Sequence, residues 1–240
     1  NGTDPIQFVP GKPGFGQAML LDGVDQAVQI IGGEPDDLAF DGGTMSVAGW
    51  FKVGAFDKSW QALVAKGEGS NWRIHRRGGE QGFAHAGGTG EGPAGRDVSD
   101  GEWHHFVAIS DADAVNFGTA LYIDGTIDTQ VEGAPNLSAN GQRVKIGENP
   151  DTGNRTWNGE IDDISIWDRV LTEDEIGSLY NNGAGRSLVS FFGTQIEVLG
   201  VGADFLLGGD LTDPEGDGLD ELGAASDPSW NWVSISSSHE

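Results

Sequence analysis

The chain has 240 residues, with 38 acidic side chains against 13 lysines and arginines, a formal charge of −25 and no cysteine. Such a surface repels phosphate backbones, which excludes a nucleic-acid partner, and the lack of thiols excludes disulfides and thiolate zinc centres. No apolar run approaches the roughly 20 residues that a membrane-spanning helix needs, while 40 glycines against 9 prolines suit tight turns between many short strands around one core.

In chain order, residues 1–17 carry Pro5, Pro10 and Pro13 and read as an extended lead-in without a strand of its own. Residues 18–21 form a first strand, Asp22-Gly23 a turn, and residues 27–31 are expected to pair back onto that strand as a hairpin. Residues 44–53 alternate cleanly, with Met45, Val47, Gly49 and Phe51 on one face and Ser46, Ala48 and Trp50 on the other. Further strands are expected at 61–65, 72–75, 81–85, 103–109, 120–124, 126–131 and 143–147, and a long glycine-rich loop over 87–95. Ile164 and Ile166 fall two apart in a strand, after which Thr172 and Glu175 make a capping box for a helix carrying Ile176, Leu179 and Tyr180. Asn181-Asn182-Gly183 stops that helix with residues that tolerate a left-handed backbone. Residues 187–192 and 195–201 have weak strand signals, and 210–240 read as an acidic tail or the opening of another module.

Four stretches occur in a telling order: Ala18-Met-Leu-Leu-Asp22-Gly23, then Asp100-Gly-Glu-Trp103-His104-His105-Phe-Val-Ala, then Leu121-Tyr122-Ile-Asp124-Gly125, and finally the run from Gly159 through Ile176. Together they resemble the laminin G-like jelly rolls of the concanavalin A-like lectin/glucanase superfamily, to which the pentraxins also belong. The resemblance implies an all-β fold, an antiparallel two-sheet β-sandwich (jelly roll) with one short helix near residues 172–181. Residues 18–192 are then the jelly-roll domain, and 193–240 a C-terminal extension, acidic linker or start of a following module. The fold carries lectins, adhesion modules and accessory domains of enzymes alike, so activity does not follow from it.

In related jelly rolls a structural calcium ion sits between the first strand and the closing strand, and by position Asp22 and Asp163 are the residues to hold it here. Their alternative role is to cap turns through Asx hydrogen bonds. A second oxygen-rich run, Asp213-Pro-Glu215-Gly-Asp217-Gly218, resembles the front half of an EF-hand or thrombospondin type 3 calcium loop. Its twelfth position is Ala224, so Glu221 or Asp227 would have to stand in for the usual glutamate. The pentraxin calcium loop corresponds to residues 147–151, opposite Ser70-Asn71, but Pro150 and the neutral Asn71 depart from that pattern.

Sugar recognition needs aromatic faces and planar polar groups. Trp60, Trp72, His75, Arg76, Arg77 and Trp157 are the candidate ligand-binding residues, with Arg73 beside them, and the cations near 73–77 point to an acidic polysaccharide. These residues have a bland reading too, with Trp72 and Ile74 in the core and His75 and Arg76 on an ordinary surface. His104-His105 cannot chelate one ion, because neighbours on a strand point to opposite faces. Glu160-Ile-Asp162-Asp163-Ile164-Ser165 resembles the Glu-x-Asp-x-x-Glu signature of family 16 glycoside hydrolases, but Ser165 stands where the second glutamate belongs, and retaining cleavage needs two opposed carboxyl groups.

The expectation is a non-catalytic, secreted or cell-surface module that binds a glycan with calcium as structural ion, as part of a longer multidomain chain; Asn1 in place of methionine fits a piece of a larger protein. Two alternatives stay open. One is a structural or protein-interaction module, the other a glycoside hydrolase or lyase using Glu160 and Asp162.

Overall fold

The computed structural model describes residues 5–31 and 33–186, together with the backbone of two short strands further on. In chain order the strands are β1 (Gln7–Pro10), β2 (Gln17–Asp22), β3 (Val28–Gln29), β4 (Met45–Lys52), β5 (Ala62–Ala65), β6 (Arg73–Arg76) and β7 (Phe83–Ala86). They continue with β8 (Trp103–Ser110), β9 (Thr119–Ile123), β10 (Thr126–Val131), β11 (Lys145–Ile146) and β12 (Asn158–Trp167). A helix α1 (Glu173–Tyr180) follows, then β13 (Phe205–Gly208) and β14 (Trp232–Ile235). The larger sheet runs β1-β2-β12-β4-β8-β9-β10, and the smaller β3-β11-β5-β6-β7. β14 joins the larger sheet along the second half of β12 and carries β13 outside it. Every strand pair is antiparallel, so the chain is a two-sheet β-sandwich of the jelly-roll type.

Alternation decides what lies between the sheets. Met45, Val47 and Phe51 of β4 point inward, and meet Leu63, Ile74 and Phe83 from the smaller sheet. In β12 the inward set is Ile161, Ile164 and Ile166, whose spacing breaks the period of two. A bulge repairs it: the register with β4 slips between Asp162 and Ser165, and Asp163 takes a left-handed φ of 49°.

The outer face of the larger sheet has a second apolar cluster. Ala48, Val107 and Trp167 from the strands meet Leu171, Ile176 and Leu179 around α1. The capping box starts that helix as the sequence predicts, with Glu175 N–H donating to Thr172 Oγ1 (3.3 Å) and Thr172 N–H to Glu175 Oε2 (2.8 Å). Asn181 stops it with φ 45°.

Two sequence expectations are corrected. The lead-in does form a strand, β1, which pairs with β2 from Gln7↔Leu20 to Pro10↔Gln17; as an edge strand it tolerates the proline that lacks an N–H. The segment expected to fold back on the first strand instead supplies β3 to the other sheet, pairing with β11. Between them Gln26 Oε1 accepts the Asp22 N–H (3.1 Å), which fixes the turn that carries the chain across. The weak strand signals at 187–201 lie outside the described residues.

Candidate functional site

The outer face of the smaller sheet is where charged and aromatic side chains gather. Trp72 and Ile74 belong to the core, so alternation sends Arg73 and His75 outward. Trp60 precedes β5 and is half-exposed, with a left-handed φ of 64° held by its N–H donating to Gly78 O (3.1 Å). A bulky residue in that region is strained, and such residues persist where neighbours over-determine them. Here the indole stacks on the His75 ring, with centroids 5.6 Å apart and planes at 27°. The guanidinium carbons of Arg77 and Arg155 lie 5.1 Å and 5.5 Å from the same ring. Beside Arg77 opens a shallow depression of about 310 Å³, lined by Gly78, Gly79, Glu80, Pro93 and Ala94.

One carboxylate ties this group together. Glu91 comes from the glycine-rich loop, which bridges Ala86 to Glu91 as it crosses the edge of the sheet. Its Oε1 lies 3.4 Å from Arg73 Nη2 and 3.1 Å from His75 Nε2, and its Oε2 lies 3.5 Å from Arg77 Nη1. The contact with His75, followed by the charges of Arg73 and Arg77, holds the Glu91 carboxyl below its usual range despite partial burial. Arg73 is also 3.3 Å from Glu68 Oε2. His75 is 1% exposed, with Nδ1 fixed at 2.8 Å from Arg76 O.

The structure separates the residues chosen from the sequence. Trp60, His75 and Arg77 come together on the outer face. Trp72 and Trp157 do not, and this corrects the reading of them as sugar platforms: both are 0% exposed. Trp72 is locked by its Nε1–H donating to Leu38 O (2.8 Å), and Trp157 packs edge-on against Phe51 and beside Phe83 in the core. Arg76 is corrected as well. Its guanidinium donates to the carbonyls of Glu80, Lys58 and Gly79 and to Gln81 Oε1, and lies 4.8 Å from the Phe56 ring, so four of its five N–H donors are spent on stapling the 77–82 turn.

The metal candidates are also parted. Asp22 is exposed, its Oδ1 accepts the Val24 N–H (2.8 Å), and in the sheet it stands opposite Asn158. Asp163 is buried in the bulge of β12, five positions beyond Asn158, about 16 Å along the strand. One ion cannot bridge that gap, so the shared site is corrected to an Asx turn at Asp22 and a bulge position at Asp163. Asp213, Glu215 and Asp217 lie outside the described residues. The pentraxin-like loop spends its acid on protein donors, since Asp151 Oδ2 accepts the Glu68 N–H (2.8 Å) and Asn149 Nδ2–H donates to Glu68 Oε1 (2.7 Å). Among the described residues no group of three His, Asp or Glu side chains is placed to hold a metal.

Glu160 and Asp162 do share the outer face of β12, but no trough separates them. Glu160 pairs with Lys52 (3.0 Å), and Asp162, 4% exposed, lies under the lead-in, accepting the Lys12 N–H through Oδ2 (3.0 Å). A Cβ at Gly11 would sit 2.3 Å from that oxygen, so only glycine lets the lead-in close over it. Desolvation pushes the Asp162 carboxyl up to about 7, against the pull of Lys12. The Lys12 ammonium donates to Gly183 O (2.7 Å) and lies 4.5 Å from the Trp50 ring, which packs on His105 at 5.0 Å. Burial pushes His105 down to about 3, while His104, bonded to Asp124 (2.8 Å) and Asp100 (3.1 Å), is raised.

Residues 22–177 match the model of a laminin G family described as the concanavalin A-like lectin/glucanases superfamily. The chain belongs to that superfamily. No curated protein sequence matches this laminin G-like chain. Among solved structures, Domain 4 of AbnA, a GH43 extracellular arabinanase from Geobacillus stearothermophilus solved in complex with arabinotriose, has a TM-score of 0.55 at 20% identity, over 78% of this chain and 84% of that one. The binding domain of Paraclostridial Mosquitocidal Protein 1 gives 0.53 at 15%, over 74% and 46%. A Trypanosoma rangeli sialidase gives 0.50 at 15%, over 76% of the laminin G-like chain and 29% of its own. The chain spans less than half of the latter two, and at these identities the likeness is one of fold.

Arg155 and Glu91 complete the outer-face cluster and are not among the candidates read from the sequence. Glu91 had a usable signal: it is the single acid in a run of glycines from 87 to 95, within reach of the basic stretch 73–77. Arg155 had none, because its place beside Trp60 depends on how the loop before β12 folds back.

Proposed function

We propose that this domain is a non-catalytic glycan-binding module whose ligand lies on the outer face of the smaller sheet, against Trp60, Arg77 and Arg155. The observation that carries it is the half-exposed, backbone-strained indole held by His75 beside two guanidinium groups and an open depression. An aromatic edge flanked by planar donors is what sugar hydroxyls and C–H faces require. Glu91 amid Arg73, His75 and Arg77 places an acceptor among donors, a mixed set that suits neutral hydroxyl-rich sugars better than the acidic polysaccharide predicted from the cations alone. The arabinotriose complex of the AbnA domain makes a neutral pentose oligosaccharide the first probe.

The proposal includes secretion and a place in a longer chain; among the described residues no helix is long and apolar enough to cross a membrane. Calcium as a structural ion enters it through Asp213, Glu215 and Asp217, and a melting temperature that falls on chelation is the expected sign. Calorimetric titration of the full chain with neutral and acidic oligosaccharides, beside Trp60→Ala, tests the reading. Binding that Trp60→Ala abolishes supports it; absence of binding to every glycan, with the wild-type chain folded, leaves the protein-interaction alternative.

A further inference from the structure

The guanidinium and imidazole groups on the outer face make a ready anion site, and the chain fills it itself. We propose that Glu91 is a built-in occupant that sets the specificity of this face, excluding carboxylate- or sulfate-bearing glycans and leaving neutral ones. The inference rests on the glycan-binding reading of the same surface.

Three groups converge on the Glu91 carboxylate within 3.5 Å, all from one stretch of chain: Arg73 and His75 on β6, and Arg77 just past its end. Arg73 and His75 are more than nine-tenths buried and fixed by other contacts, Arg73 Nη1 donating to Gly67 O (3.4 Å) and His75 Nδ1 lying against Arg76 O. Arg77 Nε donates to Gly92 O (2.9 Å), within the loop that delivers Glu91. The donors are therefore preorganised, which is what selective anion recognition requires. A uronate carboxylate or sulfate ester arriving at this face meets an internal carboxylate already in place, together with Glu68, which lies 3.3 Å from the same Arg73 Nη2. Like charges at this spacing repel, so an acidic sugar is rejected even though cations surround it. Removing Glu91 takes these charges from balance, Arg73 and Arg77 against Glu91 and Glu68, to an excess of one positive.

The carrier of Glu91 has a matching character. Gly87, Gly88, Gly90, Gly92 and Gly95 punctuate the loop, and Gly88 and Gly90 have φ of 96° and 98°. Glycines at such angles let the loop bring one long side chain over the sheet without strain.

The test compares wild type, Glu91→Gln and Glu91→Ala by titration with oligogalacturonate, a neutral arabino-oligosaccharide and sodium sulfate, with thermal melts alongside. Expected is a gain of about tenfold or more in affinity for oligogalacturonate in both variants, the size of one added charge-assisted contact, weakening in high salt. Sulfate is expected to raise the melting temperature of Glu91→Ala and to leave that of the wild type unmoved. Folded variants showing neither effect overturn the inference, as does failure of both to fold, which would make Glu91 a fold residue. The glycan-binding reading fails separately, if wild type binds no glycan while the variants still take sulfate.

Discussion

The two outer faces of the sandwich use the same four kinds of side chain to opposite ends. On the larger sheet Trp50, His105, Lys12 and Asp162 cluster together; on the smaller sheet Trp60, His75, Arg77 and Glu91 do. Trp50 is 2% exposed beneath the lead-in, whereas Trp60 is only partly buried. The carboxylates record the difference. Asp162 is pushed up to about 7 by desolvation, while Glu91 is held below its usual range by its hydrogen bond with His75 and by the charges of Arg73 and Arg77. A tryptophan beside a histidine and a cation is therefore no mark of a binding site by itself. What separates the two faces is whether another segment of chain lies on top.

The largest expected contrast follows from that cover. Trp50→Ala removes a fully packed ring and leaves Lys12 and His105 without their partner, so a loss of about 3–5 kcal/mol in unfolding free energy is expected. Trp60→Ala, on the open face, is expected to cost roughly 1 kcal/mol or less while removing glycan binding. Urea unfolding of both variants checks this, and similar losses for the two would erase the distinction between a closed and an open face.

Next in size is a pH effect confined to the closed face. The folded Asp162 carboxyl titrates near 7 against an ordinary value of 3.8, so between these values the folded state holds more protons than the unfolded one. Stability from this group is then fully present below about 4 and is lost as pH rises towards 7, by roughly 2–4 kcal/mol. Lys12 and Glu160 face or flank it, with Trp50 between it and His105, and Lys12 partly offsets the cost of the charged form. Asp162→Asn keeps an acceptor for the Lys12 N–H and has no charge to desolvate. The difference in unfolding free energy between Asp162→Asn and wild type should therefore widen from pH 5 to pH 8 in favour of the variant. A constant difference would mean that the carboxylate is solvated after all.

The contrast also shows which parts of the molecule were legible in sequence. β12 and α1 were, because Ile164, Ile166, Thr172 and Glu175 act on near neighbours through period and capping. β3 was misassigned because its partner, Ile146, lies more than a hundred residues on, and local pattern carries nothing about such pairing. At the site, the alternation Trp72, Arg73, Ile74, His75 does say which side chains share a face, and it places Trp72 with the core. Trp157 could not be sorted in that way, since the residues before β12 have no period. Asp162 read as a catalytic candidate because its partner, the lead-in at Gly11-Lys12, closes over it from 150 positions away.

The smallest effect concerns what covers the closed face beyond the lead-in. α1 has only eight residues, too few to be stable alone, so its place over Val107 and Trp167 depends on burial of Ile176 and Leu179 and on its cap. Thr172→Ala removes the hydroxyl that accepts the Glu175 N–H and should cost about 1 kcal/mol, whereas Thr172→Ser keeps the oxygen and should cost a few tenths. Glu175 is also bound by Arg169, at 2.7 Å and 2.9 Å, which keeps the first turn partly anchored and holds the loss to that size. A drop in urea midpoint at constant slope, with glycan affinity unchanged, would show the cap acting on the larger sheet alone. A change in affinity would instead mean that the two faces communicate through the core they share, and that closing one tunes the other.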